Sequence, residues 1–290
     1  MILRQIGILV WKDVLTDLRR KEHWLAMFFF AVLTLLLFHF ALDSGQDPRY
    51  RITPRVVERL AGQGVPRAAD LLKPLLGRSL PSSAAVLDAL SGIPPAELSA
   101  EQRVALLDLA REDAVEEAAP GLIWVAFVLA GVLGLAKSFN QEREQGSLEG
   151  LLLTPVPRGV LYLGKMLGNA LFLAVLLALL VPLAGLLLGV DLRGTAGPMA
   201  LALLGGVIGF SALGTLLGGI TAQVAGREVL LPLLLFPLLV PLLLVEVHLT
   251  QAILAGEPLA GQMAWLRLLA GFDGIFLVVS YLVFDSVMEG

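Results

Sequence analysis

Six apolar runs recur along this chain, each close to the length that crosses a hydrocarbon layer, and few folds can accommodate them. The first, residues 24–42, reaches roughly 28 Å as a helix, about one hydrocarbon thickness. The others fall at residues 121–136, about 160–190, 199–222, 229–247 and 264–284. Hydrophobic residues make up 57% of the chain and charged residues 16%, with a mean hydropathy of +0.82. A water-soluble globule could not cover that much apolar surface, so lipid must be the solvent for most of it. The expected class is an all-α polytopic membrane protein with six transmembrane helices.

Basic residues set the expected orientation. Arg19, Arg20 and Lys21 directly precede the first run, and positive flanks stay on the cytoplasmic side. Alternation then puts both termini in the cytoplasm. Short inner segments hold Lys137, Arg143, Arg158, Lys165 and Arg227, whereas the two short outer connections hold only Arg193 and Arg267. This use of basic residues sets topology and gives no sign of a nucleic-acid partner, as does the small net charge of -4. The lack of cysteine excludes disulfides, thiolate chemistry, Cys-ligated zinc and covalent haem attachment through Cys-x-x-Cys-His. With three histidines and no His-Glu-x-x-His pair, no metal site and no catalytic site are expected.

The chain divides into residues 1–43, 44–119 and 120–290. In the first part, residues 2–21 suggest an amphipathic helix lying along the membrane surface. Leu3, Gly7, Val10, Val14 and Leu18 follow helical spacing, and Gln5, Lys12, Thr16 and Arg19 fall roughly opposite. Asp13, Asp17 and Glu22, and the want of a small-residue cleavage site, argue against a signal peptide. Residues 44–119 form an insert in which short Leu/Ala-rich pieces alternate with Pro54, Pro66, Pro74, Pro81, Pro94 and Pro95, which suggests a small helical cap on the outer face. Its clearest helix starts at Ser99, where Ser99 and Gln102 suit a reciprocal capping box, and should end near Glu117, before Pro120 and Gly121. The insert is either a loop elaboration on the membrane domain or a platform for a partner.

The most informative polar stretch is residues 138–165, SFNQEREQGSLEGLLLTPVPRGVLYLGK. Glu142, Arg143 and Glu144 are expected to open a short helix whose positive end favours acids, with Leu148, Leu151 and Leu152 on one side. Thr154, Pro155 and Pro157 should end it. A helix over about 142–154 would offer charge outward and leucine inward. The second inner loop, with Arg227 and Glu228, is either a charged interfacial turn or a further contact of the same kind. Residues 131–138, GVLGLAKS, resemble a phosphate-binding loop only in passing, because Ala136 replaces the glycine before Lys137 and no strand precedes it.

Within the spans, Gly205 and Gly209, then Gly214 and Gly218, have the spacing that lets helix backbones approach, within one chain or between two copies. Pro232, Pro237 and Pro241 each remove a backbone bond, so the fifth span should be kinked. Residues 248–263 should form a loop, interfacial or re-entrant, bracketed by Glu257 and by Glu246, which with Asp273 is an intramembrane polar position. Asp273 lies at membrane depth, where an ionised carboxylate costs at least ~2.5 kcal/mol, so it should face protein or a cavity. Its role is either a structural hydrogen bond or part of a conduit.

Glu142, Arg143, Glu144, Gly146, Ser147, Glu149 and Thr154-Pro155 together resemble the coupling helix of type 2 ABC transporter membrane subunits, Glu-Arg-Glu-x-Gly-Ser/Thr-x-Glu followed by leucines and Thr-Pro. Adding KDVLTDLRRKEHW, REVLLPLLLFPLLVPLLL and WLRLLAGFDGIFLVVSYLVFD, the chain looks like the haem exporter protein B family of cytochrome c maturation over residues 1–43 and 119–290. The insert departs from that pattern. The resemblance implies a type 2 permease architecture in the bacterial inner membrane and a separate cytoplasmic ABC ATPase. It also implies further cytochrome c maturation membrane subunits, one of them haem-handling, as partners. Glu142, Arg143, Glu144, Gly146, Ser147, Glu149 and Leu152, with Arg227 and Glu228, would then couple to the ATPase. Haem would be cargo of the complex, ATP would sit on the partner, and the subunit would bind no cofactor itself. His39 and His248, near the outer ends of their spans, are the candidate haem contacts. Membrane lipids are further partners, and a homodimer stays open. A type 2 exporter of another lipid or polysaccharide, or a non-transport scaffold, are the alternative readings.

Overall fold

The computed structural model describes residues 7, 10–11, 21–43, 50–52, 54–62, 65, 67–95, 97–144, 157–190, 192, 194–221, 224 and 227–287. Of the expected interfacial helix, Gly7, Val10, Trp11 and Lys21 are described and are helical; the remainder lies outside the described residues. The chain divides into two compact units, one of Met1–Leu35, Pro120–Leu183 and Asp191–Gly290, the other of Leu36–Ala119 and Ala184–Val190.

The long helices are α1 (Lys21–Asp43), α5 (Ala100–Glu144), α6 (Arg158–Leu188), α7 (Ala196–Thr221), α8 (Arg227–Leu254) and α9 (Met263–Val287). Five apolar segments on these helices reach spanning length: Ala118–Ala136, Arg158–Leu188, Ala196–Thr221, Val229–Leu254 and Leu259–Phe284. The apolar part of α1, Leu25–Ala41, is shorter. A multi-pass helical membrane protein is therefore the class, with five described spans of full length and a sixth apolar helix below it.

Three helix boundaries differ from expectation, and in each case the backbone continues where a break was foreseen. α5 does not stop before Pro120 but runs from Ala100 to Glu144. α8 carries Pro232, Pro237 and Pro241 as one uninterrupted helix, and it extends to Leu254, so His248 is helical and not in a loop. A proline forfeits one ladder bond, whereas ending a helix inside hydrocarbon would open several backbone groups with no water to satisfy them. α8 also begins at Arg227, so Arg227 and Glu228 open a helix and do not form a turn.

Residues 50–110 build the insert's own core. Short helices α2 (Pro54–Gly62), α3 (Ala68–Leu72) and α4 (Ser83–Ala89) precede the start of α5. The all-helical expectation needs one correction, because β1 (Tyr50–Arg51) pairs antiparallel with β2 (Ser79–Leu80), Tyr50 opposite Leu80. Leu80 precedes Pro81, and the proline ring disfavours a helical backbone there, which leaves that residue extended and free to pair. Gly77 turns the chain into β2 at φ +74 and donates to the Ile52 carbonyl at 2.9 Å. Ile52, Val56, Leu60, Leu72, Val86, Leu90, Leu98 and Leu106 are buried together, each contributing about 1.5–3 kcal/mol relative to exposure in water.

The start of α5 is clasped to that core as its local sequence demands. Gln102 N donates to Ser99 Oγ at 3.3 Å and Ser99 N donates to Gln102 Oε1 at 2.9 Å, the reciprocal capping box. Arg103 then spreads its guanidinium over three carbonyls, those of Leu98 (3.2 Å), Leu90 (3.1 Å) and Ile93 (2.6 Å). A single planar fork thus closes the turn between α4 and α5.

Candidate functional site

The polar centre of the membrane unit is organised by α7. Its glycines remove side chains from one strip of the helix, and α8 and α9 both pack against α7. A Cβ at Gly209 would collide with Asp273 Oδ1 of α9 and stand 3.0 Å from Leu242 of α8. One at Gly205 would strike Leu269, and one at Gly206 would strike Trp124 of α5 and lie 3.0 Å from Glu246 Oε1. Farther along, Gly214 faces Leu135 of α5. The small-residue spacing therefore serves packing within the chain.

Two carboxylates use this strip. Glu246 is 0% exposed, and neither of its oxygens has a hydrogen-bond partner. Asp273 is half-buried, and its Oδ1 is likewise buried without a partner. They approach α7 about one turn apart, Glu246 at Gly205 and Gly206, Asp273 at Gly209. Each lies within electrostatic reach of the other. The structure thus brings together two residues that the sequence offered only as separate intramembrane polar positions.

Neighbouring polar groups are, by contrast, satisfied. Trp124 Nε1 donates to Thr250 Oγ1 at 3.0 Å, and the Trp124 ring meets Phe127 edge-on at 5.4 Å. Asn169 donates to Thr215 at 2.9 Å, Ser211 donates to the Met166 carbonyl at 2.5 Å, and Tyr162 donates to the Ala212 carbonyl at 3.1 Å. Trp124, Gly206 and Thr250 escaped the sequence reading. Thr250 was within its reach, since it lies four residues after Glu246 and therefore on the same helix face. Trp124 was not, because its partner is 126 residues away.

His248 sits in a different arrangement. Its Nε2 is 3.1 Å from Gln262 Oε1, and Gln262 Nε2 donates to Glu257 Oε2 at 2.7 Å. Its ring stacks on Trp265 with centroids 4.2 Å apart. These bonds tie the end of α8 to the start of α9 across the 3-10 turn Leu259–Gln262. His39 is half-buried on α1 and meets Phe40 edge-on at 5.7 Å; it belongs to the other compact unit. Among the described residues no group of three or more His, Asp or Glu could hold a metal ion.

The expected coupling residues are only partly visible. Glu142, Arg143 and Glu144 lie in the last turn of α5. That overturns the dipole argument for the two acids, since a helix C-terminus disfavours negative charge. Gly146, Ser147, Glu149 and Leu152 lie outside the described residues. Arg227 and Glu228 stand in the first turn of α8. The passing likeness to a phosphate loop at 131–138 falls inside α5 as continuous helix.

Long apolar helices packed through glycine faces, with polar groups paired inward, define an integral membrane protein of the helical-bundle class. The chain matches the family model described as CcmB protein over residues 110–289, and it belongs to that family. Heme exporter protein B of Pseudomonas aeruginosa is 36% identical over 147 residues, 51% of this chain and 66% of that protein. The protein of the same name in Haemophilus influenzae is 34% identical over 146 residues, 50% of this chain and 66% of that protein. In Escherichia coli K12 the likeness is 41% over 51 residues, 18% of this chain and 23% of the relative. The chain thus spans 66% of the length of the first two relatives. The family match begins at residue 110, the last residue of the insert's core.

Proposed function

We propose that this chain is the membrane permease subunit of an ATP-driven complex that exports or delivers haem for cytochrome c maturation in the bacterial inner membrane. The observation that carries the reading is the CcmB match over residues 110–289, which covers five apolar segments of full spanning length and the polar stretch between the second and third apolar runs. The relatives' printed name, heme exporter protein B, supports haem as the cargo.

In this reading the subunit hydrolyses nothing and holds no cofactor of its own. ATP is hydrolysed by a cytoplasmic ABC partner, and residues 142–154 carry its motion into the bundle through α5 and α6, which flank them. Arg227 and Glu228 at the start of α8 form a second contact. Helices α1 and α5 to α9 make the six spans, with both termini in the cytoplasm and the insert outside. Haem-handling subunits of the same complex lie alongside in the membrane.

The decisive experiment is deletion of the gene followed by haem staining of membranes. Holocytochromes c should disappear while b-type haem proteins persist, and a plasmid copy should restore them. Normal holocytochrome c in the deletion strain would overturn the proposal and leave export of another lipid or polysaccharide as the surviving transport reading.

A further inference from the structure

The least expected feature of the bundle is that, among the described residues, three side chains leave a buried oxygen without a partner, Ser280 and two carboxylates. Glu246 is fully buried and both of its oxygens lack a partner, in an environment supplied by Gly205, Gly206, Trp124 and Leu269. Asp273 adds an unpartnered buried oxygen one α7 turn away. Two ionised carboxylates cannot both persist at such a place, because each loses its hydration and each repels the other. Natural proteins meet this conflict by letting two carboxyl groups share one proton, which leaves the pair a single negative charge.

We propose that Glu246 and Asp273 together form an intramembrane proton-binding site, at which the pair holds one proton between α7, α8 and α9.

Several observations favour a proton over a larger cation. Glu246 is sealed on the α7 side by backbone so close that even a methyl group at Gly206 would stand 3.0 Å from Oε1. A calcium or magnesium ion would need about six oxygen ligands, and among the described residues no third carboxylate or histidine joins the two. Thr250 Oγ1, the nearby hydroxyl on the same face of α8, is already accepting from Trp124. A proton needs no volume and no further ligand.

Among the described side chains, the other titratable groups of the surrounding helices are placed elsewhere. α7 carries none. On α8, His248 is held by Gln262 and Trp265, and Arg227 and Glu228 stand at the far end. On α9, Arg267 is exposed and Tyr281 is exposed toward the other end. Lys165 of α6 is buried and has an interaction of its own. In the α5 segment beside Trp124, Pro120–Ala136 is free of titratable side chains. Asp273 is the charged group that acts on Glu246.

The test is infrared difference spectroscopy on the purified full-length chain in lipid nanodiscs. At neutral pH the wild type should show the carbonyl stretch of one protonated carboxyl per chain, shifted in deuterium oxide and unaffected when choline replaces sodium. Glu246→Gln combined with Asp273→Asn should remove it. Either single variant should change the proton affinity of the remaining carboxyl about tenfold or more, as expected of coupled groups. Carbon-13 labelling of glutamate and aspartate carboxyls in the unmutated chain should shift the band, a readout that stands even if a variant fails to fold. Absence of the band in the wild type would overturn the proposal, as would a band that survives the double substitution or one that depends on sodium. Single variants that titrate unchanged would overturn it as well, since they would make the carboxyls independent.

Discussion

The insert and the membrane bundle solve opposite problems with the same side chains. In the insert, leucine and valine turn inward around Leu60 and Leu90, while Glu58, Arg59, Asp70 and Glu101 face out. In the bundle, Leu201, Leu233, Val240, Leu244, Ile275 and Leu282 face out, and Lys165, Ser211, Thr215, Thr221, Glu246, Thr250 and Ser280 are buried together with apolar neighbours such as Phe127 and Phe210. Water drives the first arrangement by expelling apolar surface. Lipid supplies no such drive between helices, so the bundle relies on close glycine contacts and inward hydrogen bonds. The inversion shows that a residue's exposure identifies its solvent more than its importance.

That contrast can be broken by substitution. The largest expected effect is in the insert, where Leu60→Ala should cost about 2–5 kcal/mol through lost burial and a residual cavity. Hydrogen exchange on the full chain should show this as lost protection confined to residues 50–110, and loss spreading through α7 and α8 would dissolve the distinction between the two units. Next comes a matched pair of arginines. Val240→Arg, on the outward face of α8, should cost about 3 kcal/mol, since arginine near a span's centre is disfavoured by roughly that much. Val104→Arg, equally outward on the insert, should change stability by no more than about 0.5 kcal/mol. Unfolding in mixed micelles for the first and local exchange for the second would read both, and equal costs would refute the solvent inversion. Between the two arginines in size stands Ser99→Ala, which removes half of the capping box and should cost about 1 kcal/mol, seen as faster exchange at the first turn of α5.

Much of the fold was visible in the linear chain for local reasons. The Ser99–Gln102 box appeared as foreseen because both partners lie within one helical turn. The apolar segments of α6 to α9 matched their helices to within a few residues, apart from α8, which runs on to Leu254 past the expected end of its span at residue 247. At Pro120, where a break was foreseen, the helix also continues. Propensity weighs what proline does to a helix in water, whereas an apolar surrounding penalises an open backbone more than a missing bond. The β1–β2 pair was missed because two-residue strands carry no periodicity to detect.

By itself, the sequence determined the solvent, the approximate positions of the spans, the separate character of residues 44–119 and the likeness of 138–165 to a coupling element. The first three follow from composition and from spacing within a few residues, and the last rests on resemblance to a known family. Only the tertiary structure decided that Glu246 and Asp273 share one strip of α7, that Trp124 reaches Thr250, and that His248 is held against Trp265 and Gln262. Periodicity says which side of a helix a residue occupies, but which helix it meets there depends on close approach at glycines, and that is a property of the packed bundle.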